Sequence, residues 1–251
     1  MINLVYKLIG LGEQCKMKKS NIPLAESFLI AFLLTISGGF LDAYTYILRG
    51  GTFANAQTGN IVLTGVNIAK HNWTGAILHF VPVIAFFTGI LFYNYLKNNF
   101  HIKGILDWHA FILILEIIAL VIISFVPAEK QYNNIVNITI SFITSLQYGA
   151  FQKLYGVTYA TTMCSGMLRT VATMLYKNVS AEEKDVEEFK KCMRVFAVIV
   201  TFCFGCGMGA VLSFLGAKSV WVCIVLMSIA AVLLIIEEKT TNGDDNFGEM
   251  I

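Results

Sequence analysis

The sequence predicts an all-α polytopic membrane protein, and its composition and hydropathy carry that prediction. Hydrophobic residues make up 57% of the 251 residues and charged residues only 14%, whereas soluble domains carry about 25% charged residues. The mean hydropathy is +0.70. A helix needs about 20 mostly apolar residues to cross the hydrocarbon core of a bilayer, and windows of that kind recur along the chain.

Six segments are predicted to cross the bilayer as helices, because a lone strand in hydrocarbon would leave its backbone groups unpaired. They form one transmembrane domain at 24–236, between a cytoplasmic N-terminal segment at 1–23 and an acidic cytoplasmic tail at 237–251. The six predicted spans are 24–48, 74–96, 108–126, 134–155, 195–215 and 219–236.

Two further segments, 52–69 and 157–176, are long enough to cross but too polar to face lipid. The first carries four amide side chains, and the second carries an arginine and several threonines. They either cross inside the bundle, which brings the total to eight helices, or enter and return as broken, re-entrant segments.

The two polar segments belong to an internal repeat with halves at about 24–126 and 134–236. With re-entrant segments each half has three crossings and the repeat is inverted, whereas four crossings in each half make it parallel. Inverted repeats with discontinuous helices are a recurrent plan of transporters, and we favour that arrangement. The residue pairs that share an offset of 107 positions are Asp42 and Gly149, Ala43 and Ala150, Thr58 and Ser165, and Gly59 and Gly166.

The placement of lysine and arginine predicts that both termini are cytoplasmic, since cytoplasmic loops carry an excess of basic residues. If the polar segments re-enter, the cytoplasmic side collects the N-terminal lysines, Lys97, Lys103, Lys153 and the charged loop 177–194. If both segments cross instead, Lys97, Lys103 and Lys153 move outside. The basic bias persists in both arrangements and is steeper in the first.

Asp42 and Glu116 are acidic residues inside predicted spans, where a charge costs about 2.5–3.5 kcal/mol on insertion scales. Such residues usually face the bundle interior and mark an ion or proton path. Asp42 is therefore a candidate coupling carboxylate or substrate ligand; alternatively, it hydrogen-bonds neighbouring backbone near the outer helix end. Glu116 is either a proton site or a buried partner of Gln147 or His79.

Arg169 stands in the second polar segment, three residues after Gly166, and the equivalent position of the first half is Val62. One half thus offers the acid and the other offers the base. Arg169 is predicted either to pair with Asp42 across the repeat interface or to hold an anionic substrate, since guanidinium suits carboxylates and phosphates. Snorkelling towards the cytoplasmic surface is the third interpretation.

The predicted substrate site lies at glycine breaks in the two polar segments. Gly59 and Gly166 permit a non-helical turn, and the free N–H groups of a half-helix favour anions, whereas freed carbonyls favour cations. The alternative is that small and polar residues only pack helices together. The candidate binding residues are Asp42, Asn55, Gln57, Thr58, Asn60, Gln147, Ser165 and Arg169, and the coupling candidates are Asp42 and Glu116.

Enzymatic chemistry, cofactors and metal sites are not predicted. The sequence shows no nucleotide-binding glycine loop, no cluster of metal ligands and no nucleophile paired with a base. Cys203 and Cys206 fall in an apolar, glycine-rich helix, so helix packing explains their spacing better than metal or disulfide chemistry. The net charge of +2, without a basic patch, argues against nucleic acid as a partner.

Two motifs of the sequence, one in each half, resemble the signatures of the YoaK-like family of bacterial membrane proteins. The family is defined by a domain of unknown function. The first signature is Gly-Phe-Leu-Asp-Ala-Tyr at 39–44, followed by Phe-Ala-Asn-Ala-Gln-Thr-Gly-Asn at 53–60. Residues 146–150 and 161–166 are similar to the family's second signature and depart from it at Tyr148, Gly149 and Ser165. The resemblance covers roughly 27–237 and implies a bacterial inner-membrane protein of about six spans, without naming a substrate.

These features predict a secondary transporter or permease for a small polar or anionic solute. Its expected partners are the lipid bilayer, the solute or ion and, because the chain is short, a second copy in a homodimer. The alternative is a non-transporting membrane scaffold or sensor whose polar repeats only pack the bundle. A passive channel is the third possibility, and it would show flux without saturation and without dependence on an ion gradient.

Overall fold

In the part of the chain that the structure describes, the fold is helical apart from one short antiparallel hairpin, which pairs β1 (Lys153–Leu154) with β2 (Val157–Thr158). The structure is a computed structural model. Predictions on residues 1–22, Lys103 and 159–163 concern segments outside the described residues. The described residues are 23–99, 108–158, 164–180 and 185–248.

Eight α-helices, joined by loops and three 3₁₀ helices, make up the described part of the chain. The α-helices are α1 (Phe28–Leu48), α2 (Gln57–Ala69), α3 (Trp73–Asn99), α4 (Trp108–Ser124), α5 (Asn133–Ala150), α6 (Cys164–Ser180), α7 (Val186–Leu212) and α8 (Trp221–Gly248). The 3₁₀ helices are Leu24–Glu26, Lys130–Tyr132 and Ser213–Val220.

Three helical stretches are long and apolar enough to cross a membrane. They are α1, α3 and the stretch Val186–Glu238, which contains α7, the 3₁₀ helix after it and α8 as far as Glu238. A shorter apolar helix, α4, accompanies them. The predicted class, an all-α protein with membrane-length apolar helices, is therefore confirmed.

The helices run between two ends of the bundle: the lower end, where α1 begins, and the upper end, where α1 finishes. α1 and α7 both run upward, because Gly205 lies against Ile36 and Gly209 lies against Phe40. The order of the contacts along both helices is the same, so the two helices are parallel.

α3 and α5 run downward. Near their upper ends, Leu78 of α3 and Asn133 of α5 both approach Gly50, in the loop after α1. Near their lower ends, Gly149 of α5 packs against the ring of Tyr93 of α3. The two helices are therefore parallel to each other and antiparallel to α1.

α4 and α8 complete the bundle. α4 runs upward, because the loop that follows it accepts hydrogen bonds from Arg49 at the upper end. α8 runs downward, because the carboxylate of Glu237 accepts the N–H of Leu24 at the lower end, at 2.9 Å.

α1 lies at the centre of the bundle: 78% of its membrane-length window is buried, against 28% for α3. A Cβ atom on Gly39 would collide with the Phe202 carbonyl of α7, so glycine permits the close approach of the two helices. Cys203 and Cys206 belong to this glycine-rich part of α7 and are free thiols. Their surroundings fit the predicted role in helix packing.

The segment between α1 and α3 folds back into the bundle. After Leu48 the chain returns alongside α1 until Asn55, whose side chain donates to the Gly38 carbonyl at 3.1 Å. That carbonyl lies about 15 Å below the end of α1, at 1.5 Å per residue. α2 begins at this depth and ends at the upper end, just before Trp73. Its 13 residues span about 20 Å, which is short of a hydrocarbon core of about 30 Å.

α6 starts in the middle of the bundle and runs to the lower end. Its first residue, Cys164, lies within electrostatic range of Asp42 and of Cys203. Near its other end, the Asn178 amide donates to the carbonyl of Asp185, just before α7, at 2.7 Å. α2 and α6 therefore start near one another and leave in opposite directions.

The helix contacts follow the same pattern in both halves, α1–α4 and α5–α8. α1 packs against α7 as α5 packs against α3, and α2 packs against α3 as α6 packs against α7. The contact between α4 and α5 corresponds to the contact between α8 and α1. When the two halves are exchanged, the contact between α4 and α8 is unchanged, because each helix takes the place of the other. α2 and α6 each run from the middle of the bundle to one end, and we call them the half-helices. They begin at Gln57 and Cys164, which are separated by the same 107 positions as the paired motifs.

Candidate functional site

Asp42 is buried in the middle of α1, with an exposed fraction of 3%. Its Oδ1 accepts the backbone N–H of Asn55 at 2.6 Å and, more weakly, that of Ala56 at 3.4 Å. These two residues immediately precede α2, and the first N–H groups of a helix have no intrahelical partner. Asp42 thus places its carboxylate at the N-terminus of α2, where the helix dipole favours negative charge.

The second carboxylate oxygen of Asp42, Oδ2, is buried and makes no hydrogen bond to any described residue. A buried carboxylate oxygen without a partner is costly, and a bound proton or cation would remove that cost. This oxygen is therefore the atom at which Asp42 can do chemistry, while Oδ1 holds the start of α2.

The amides of the first polar segment fasten that segment to itself and to α1. Asn60 brackets Phe53: its Oδ1 accepts the Phe53 N–H at 2.9 Å and its Nδ2 donates to the Phe53 carbonyl at 2.8 Å. Gln57 donates to the carbonyl of Ala54 at 2.8 Å and accepts from Asn60 Nδ2 at 2.9 Å. Asn55, Gln57 and Asn60 are buried, so their donors hold the backbone before and at the start of α2 in place.

Asn60→Ala should therefore destabilise the protein by about 1–3 kcal/mol, the usual range for buried groups left without a partner. The N–H and carbonyl of Phe53 would both lose their partner. Thermal unfolding in detergent measures the loss. Asn67→Ala is the matched control, since this half-buried amide of the same helix donates to one carbonyl of its own helix, that of Leu63. Equal melting temperatures for the two variants would show that the two hydrogen bonds between Asn60 and Phe53 do not stabilise the fold.

The predicted glycine breaks lie slightly inside the half-helices. Gly59 falls in the first turn of α2 and Gly166 in the first turn of α6. The break in the first half is the non-helical stretch 49–56. Gly59 serves packing, because a Cβ atom there would come within 2.8 Å of the Phe53 ring.

Three of the predicted site residues lie on exposed faces of the half-helices: Thr58 on α2, and Ser165 and Arg169 on α6. The predicted pairing of Arg169 with Asp42 does not form. Asp42 is buried while Arg169 is exposed, and among the described residues no carboxylate lies within 4 Å of the guanidinium. The guanidinium of Arg169 lies on the exposed face of α6 instead.

Glu116 and Gln147 form a second buried polar pair, away from the hydrogen bonds of Asp42. Glu116 of α4 is 1% exposed and Gln147 of α5 is 2% exposed. With its amide oriented to satisfy both groups, Gln147 Nε2 donates to the two oxygens of Glu116 at 3.3 Å. His79 contacts Thr52 instead, at 3.2 Å. Of the two partners predicted for Glu116, the structure selects Gln147.

Two residues that organise the site escaped the sequence analysis. Ser141 of α5 donates to the carbonyl of Ala54 at 3.0 Å and so ties the second half of the chain to the first polar segment. Arg49 stands at the end of an apolar span, the usual place of a flanking charge, yet its side chain is fully buried. The neighbouring Gly50 and Gly51, both with positive φ, were the available signal that the chain turns back there.

The described residues contain no group of three or more His, Cys, Asp or Glu side chains that could hold a metal ion. Among the described residues, the Oδ2 atom of Asp42 makes no hydrogen bond and the guanidinium of Arg169 forms no ion pair, while α6 begins at Cys164. This set can bind a proton or small cation on one side and an anion on the other.

A bundle of apolar helices, in which one short helix starts at a buried acid and a second starts within electrostatic range of that acid, defines the chain as a membrane-type helical protein. A model of one protein family, described as "Protein of unknown function (DUF1275)", matches residues 30–233. The chain therefore belongs to the DUF1275 family. Comparisons with curated proteins and with solved structures gave no match.

Proposed function

We propose that this protein is a secondary transporter or permease for a small polar or anionic solute. The observation that carries the proposal is that α2 starts at the buried carboxylate of Asp42 and that α6 starts within electrostatic range of the same carboxylate. Each half-helix N-terminus presents N–H groups with partial positive charge. Discontinuous helices at the middle of the bilayer are a recurrent means of binding substrates in transporters.

The proposal includes six membrane crossings arranged as an inverted repeat. α1, α4 and α7 run upward, α3, α5 and α8 run downward, and α2 and α6 return to opposite ends. Exchange of the two halves therefore reverses every direction while it preserves the helix contacts. That relation is the one expected of a two-fold axis in the membrane plane.

Asp42 and Arg169 have different roles in the proposed site. The carboxylate of Asp42 occupies the N-terminus of α2, so an anionic solute is directed to the N-terminus of α6. Arg169 is exposed one turn further along α6 and offers a bidentate donor for carboxylate or phosphate. A proton or small cation at Oδ2 of Asp42 would serve as the coupling ion.

The lower end of the bundle is proposed to face the cytoplasm, and the membrane is proposed to be a bacterial inner membrane, as the resemblance to the YoaK-like family implies. Cytoplasmic ends carry the excess of basic residues. The basic residues near the lower end include Lys97, Lys153, Lys177, Lys190, Lys191 and Arg194, and those near the upper end are Lys70, Lys130 and Lys218 together with the buried Arg49.

One observation favours the alternative, a membrane scaffold or sensor. The amide groups of the first polar segment donate their hydrogen bonds to acceptors within the protein; these residues are Asn55, Gln57 and Asn60. Polar residues that only pack a helix bundle form hydrogen bonds of this kind. The transporter proposal therefore rests on Asp42, Arg169 and the start of α6 rather than on these amides.

A thermal-shift screen of the purified protein against anions, nucleobases and small metabolites would identify the solute, and uptake of that solute into proteoliposomes then tests transport. Arg169→Gln should lower uptake about 10- to 100-fold, since hydrogen bonds to charged groups contribute about 1.5–3 kcal/mol. Lys177→Gln, an exposed cation at the other end of α6, is the control and should leave uptake within about two-fold.

Asp42→Asn should abolish the dependence of uptake on an imposed ion gradient, because the amide cannot exchange a proton or neutralise a cation. Folded protein that shows neither a stabilising solute nor flux would support the scaffold. Flux that neither saturates nor responds to a gradient would support a channel and overturn the transporter proposal.

A further inference from the structure

A cleft of about 390 Å³ opens at the lower end of the bundle, apart from the site around Asp42. It lies between the start of α1, the end of α3, the start of α4 and the hairpin after α5. The volume is within the range of small-ligand pockets, about 300–1,000 Å³. None of the residues assigned to the proposed transport site lines it.

Two lysines give the cleft a positive wall. Lys97 at the end of α3 and Lys153 in β1 both line it, and neither ammonium forms an ion pair with a described residue. The carboxylate that also lines the cleft, Glu26, accepts the backbone N–H of Gly156 at 3.2 Å. Among the described residues that line the cleft, two ammonium groups therefore face one carboxylate, and that carboxylate is already engaged with the hairpin.

The cleft also contains a neutral hydrogen-bond donor that has no partner among the described residues. The indole Nε1 of Trp108 is buried and makes no hydrogen bond to a described residue, although a buried indole N–H normally has a partner. Trp108 lines the cleft, packed against Tyr93 with ring centroids 6.0 Å apart. An acceptor placed in the cleft near the indole would satisfy this group.

We propose that this cleft binds a phosphate-bearing anion. A phosphate group carries a charge of about −1.5 to −2 and three acceptor oxygens, so it matches two ammonium groups and an N–H donor better than the single charge of a carboxylate does. Lysines act as point charges for phosphate, and basic pockets between helices at the cytoplasmic face bind phospholipid headgroups. The phosphate comes either from an anionic phospholipid or from a soluble phosphate compound, and the test separates these sources. The proposal does not depend on the transport proposal.

The fluorescence of Trp108 reports directly on the cleft. The chain has three tryptophans, and Trp73 and Trp221 are 61% and 44% exposed, so Trp73→Phe with Trp221→Phe leaves Trp108 as the only indole. This variant is placed in nanodiscs of phosphatidylcholine with increasing phosphatidylglycerol, and separately titrated in detergent with inorganic phosphate. A saturable emission change with phosphatidylglycerol identifies the lipid source, and one with inorganic phosphate identifies the soluble source.

Lys97→Gln and Lys153→Gln should each weaken binding about five-fold, the usual contribution of one basic residue near an anionic surface. Both side chains are exposed, so the variants should fold. Lys130→Gln, an exposed lysine at the upper end, should leave binding unchanged. Trp108→Phe, followed by thermal shift, should also weaken binding because it removes the N–H donor while it keeps an aromatic ring against Tyr93. No response to either probe, or equal loss with Lys130→Gln, would overturn the proposal.

Discussion

Arg49→Ala should lower the free energy of unfolding by about 3–5 kcal/mol, because it leaves several buried acceptors unsatisfied at about 1–3 kcal/mol each. The side chain is 0% exposed. Its guanidinium donates to the carbonyls of Pro127 at 2.6 Å and Val126 at 2.9 Å, and to the Tyr44 hydroxyl at 2.6 and 2.9 Å. It therefore fastens the upper end of α1 to the loop between α4 and α5.

Denaturant or thermal unfolding in detergent would measure the effect. Arg49→Lys should recover only part of the loss, since an ammonium cannot reproduce the planar fork. Arg194→Ala is the matched control: Arg194 is half-buried and its guanidinium stacks over Tyr155 at 4.3 Å from the ring centroid, so its removal should cost about 1 kcal/mol or less. Similar losses for Arg49→Ala and Arg194→Ala would show that Arg49 does not hold the loop.

Gly205→Ala should separate α7 from α1 and destabilise the bundle by about 1–3 kcal/mol, the usual consequence of overpacking. A Cβ atom at this position would collide with the carbonyl of Ile36. Backbone is on the opposite side of the contact, so no flexible side chain can move aside. Because α1 carries Asp42, the shift should also loosen the start of α2.

Gly207→Ala provides the control for that substitution. It lies on the same helix two residues away, and a Cβ atom there meets nothing within 4 Å. Alanine is the better helix former by about 0.8–1.0 kcal/mol, so this variant should be as stable as the parent or slightly more so. Thermal unfolding of both variants decides the matter, and equal destabilisation would contradict the close approach of α1 and α7.

The apolar pattern located most helices, and its errors occurred where the chain changes direction. The predicted span 134–155 overran α5, which ends at Ala150, since Phe151, Leu154 and Tyr155 continue the apolar pattern around Gln152 and Lys153. They form the hairpin instead, with positive φ at Tyr155 and Gly156. The helix that contains most of the predicted span 195–215 is longer than that span at its start, because α7 begins at Val186.

The early start of α7 has a local cause that hydropathy does not register. The Asp185 carboxylate accepts the N–H groups of Glu187 and Glu188, at 2.8 and 3.1 Å. This cap begins a helix in a charged stretch, and the same helix then continues into its apolar part. A search for apolar windows marks only the second part.

The sequence by itself determined the all-helical, membrane-type class of this protein and the presence of an acid within an apolar helix, because composition and local periodicity are properties of neighbouring residues. Only the tertiary structure decided that Asp42 caps α2, that Arg169 stays exposed and that Arg49 is buried. Each of these outcomes depends on hydrogen bonds or packing between residues far apart in the chain, such as Asp42 with Asn55 or Arg49 with Pro127. No local pattern encodes which buried donor will meet which acceptor.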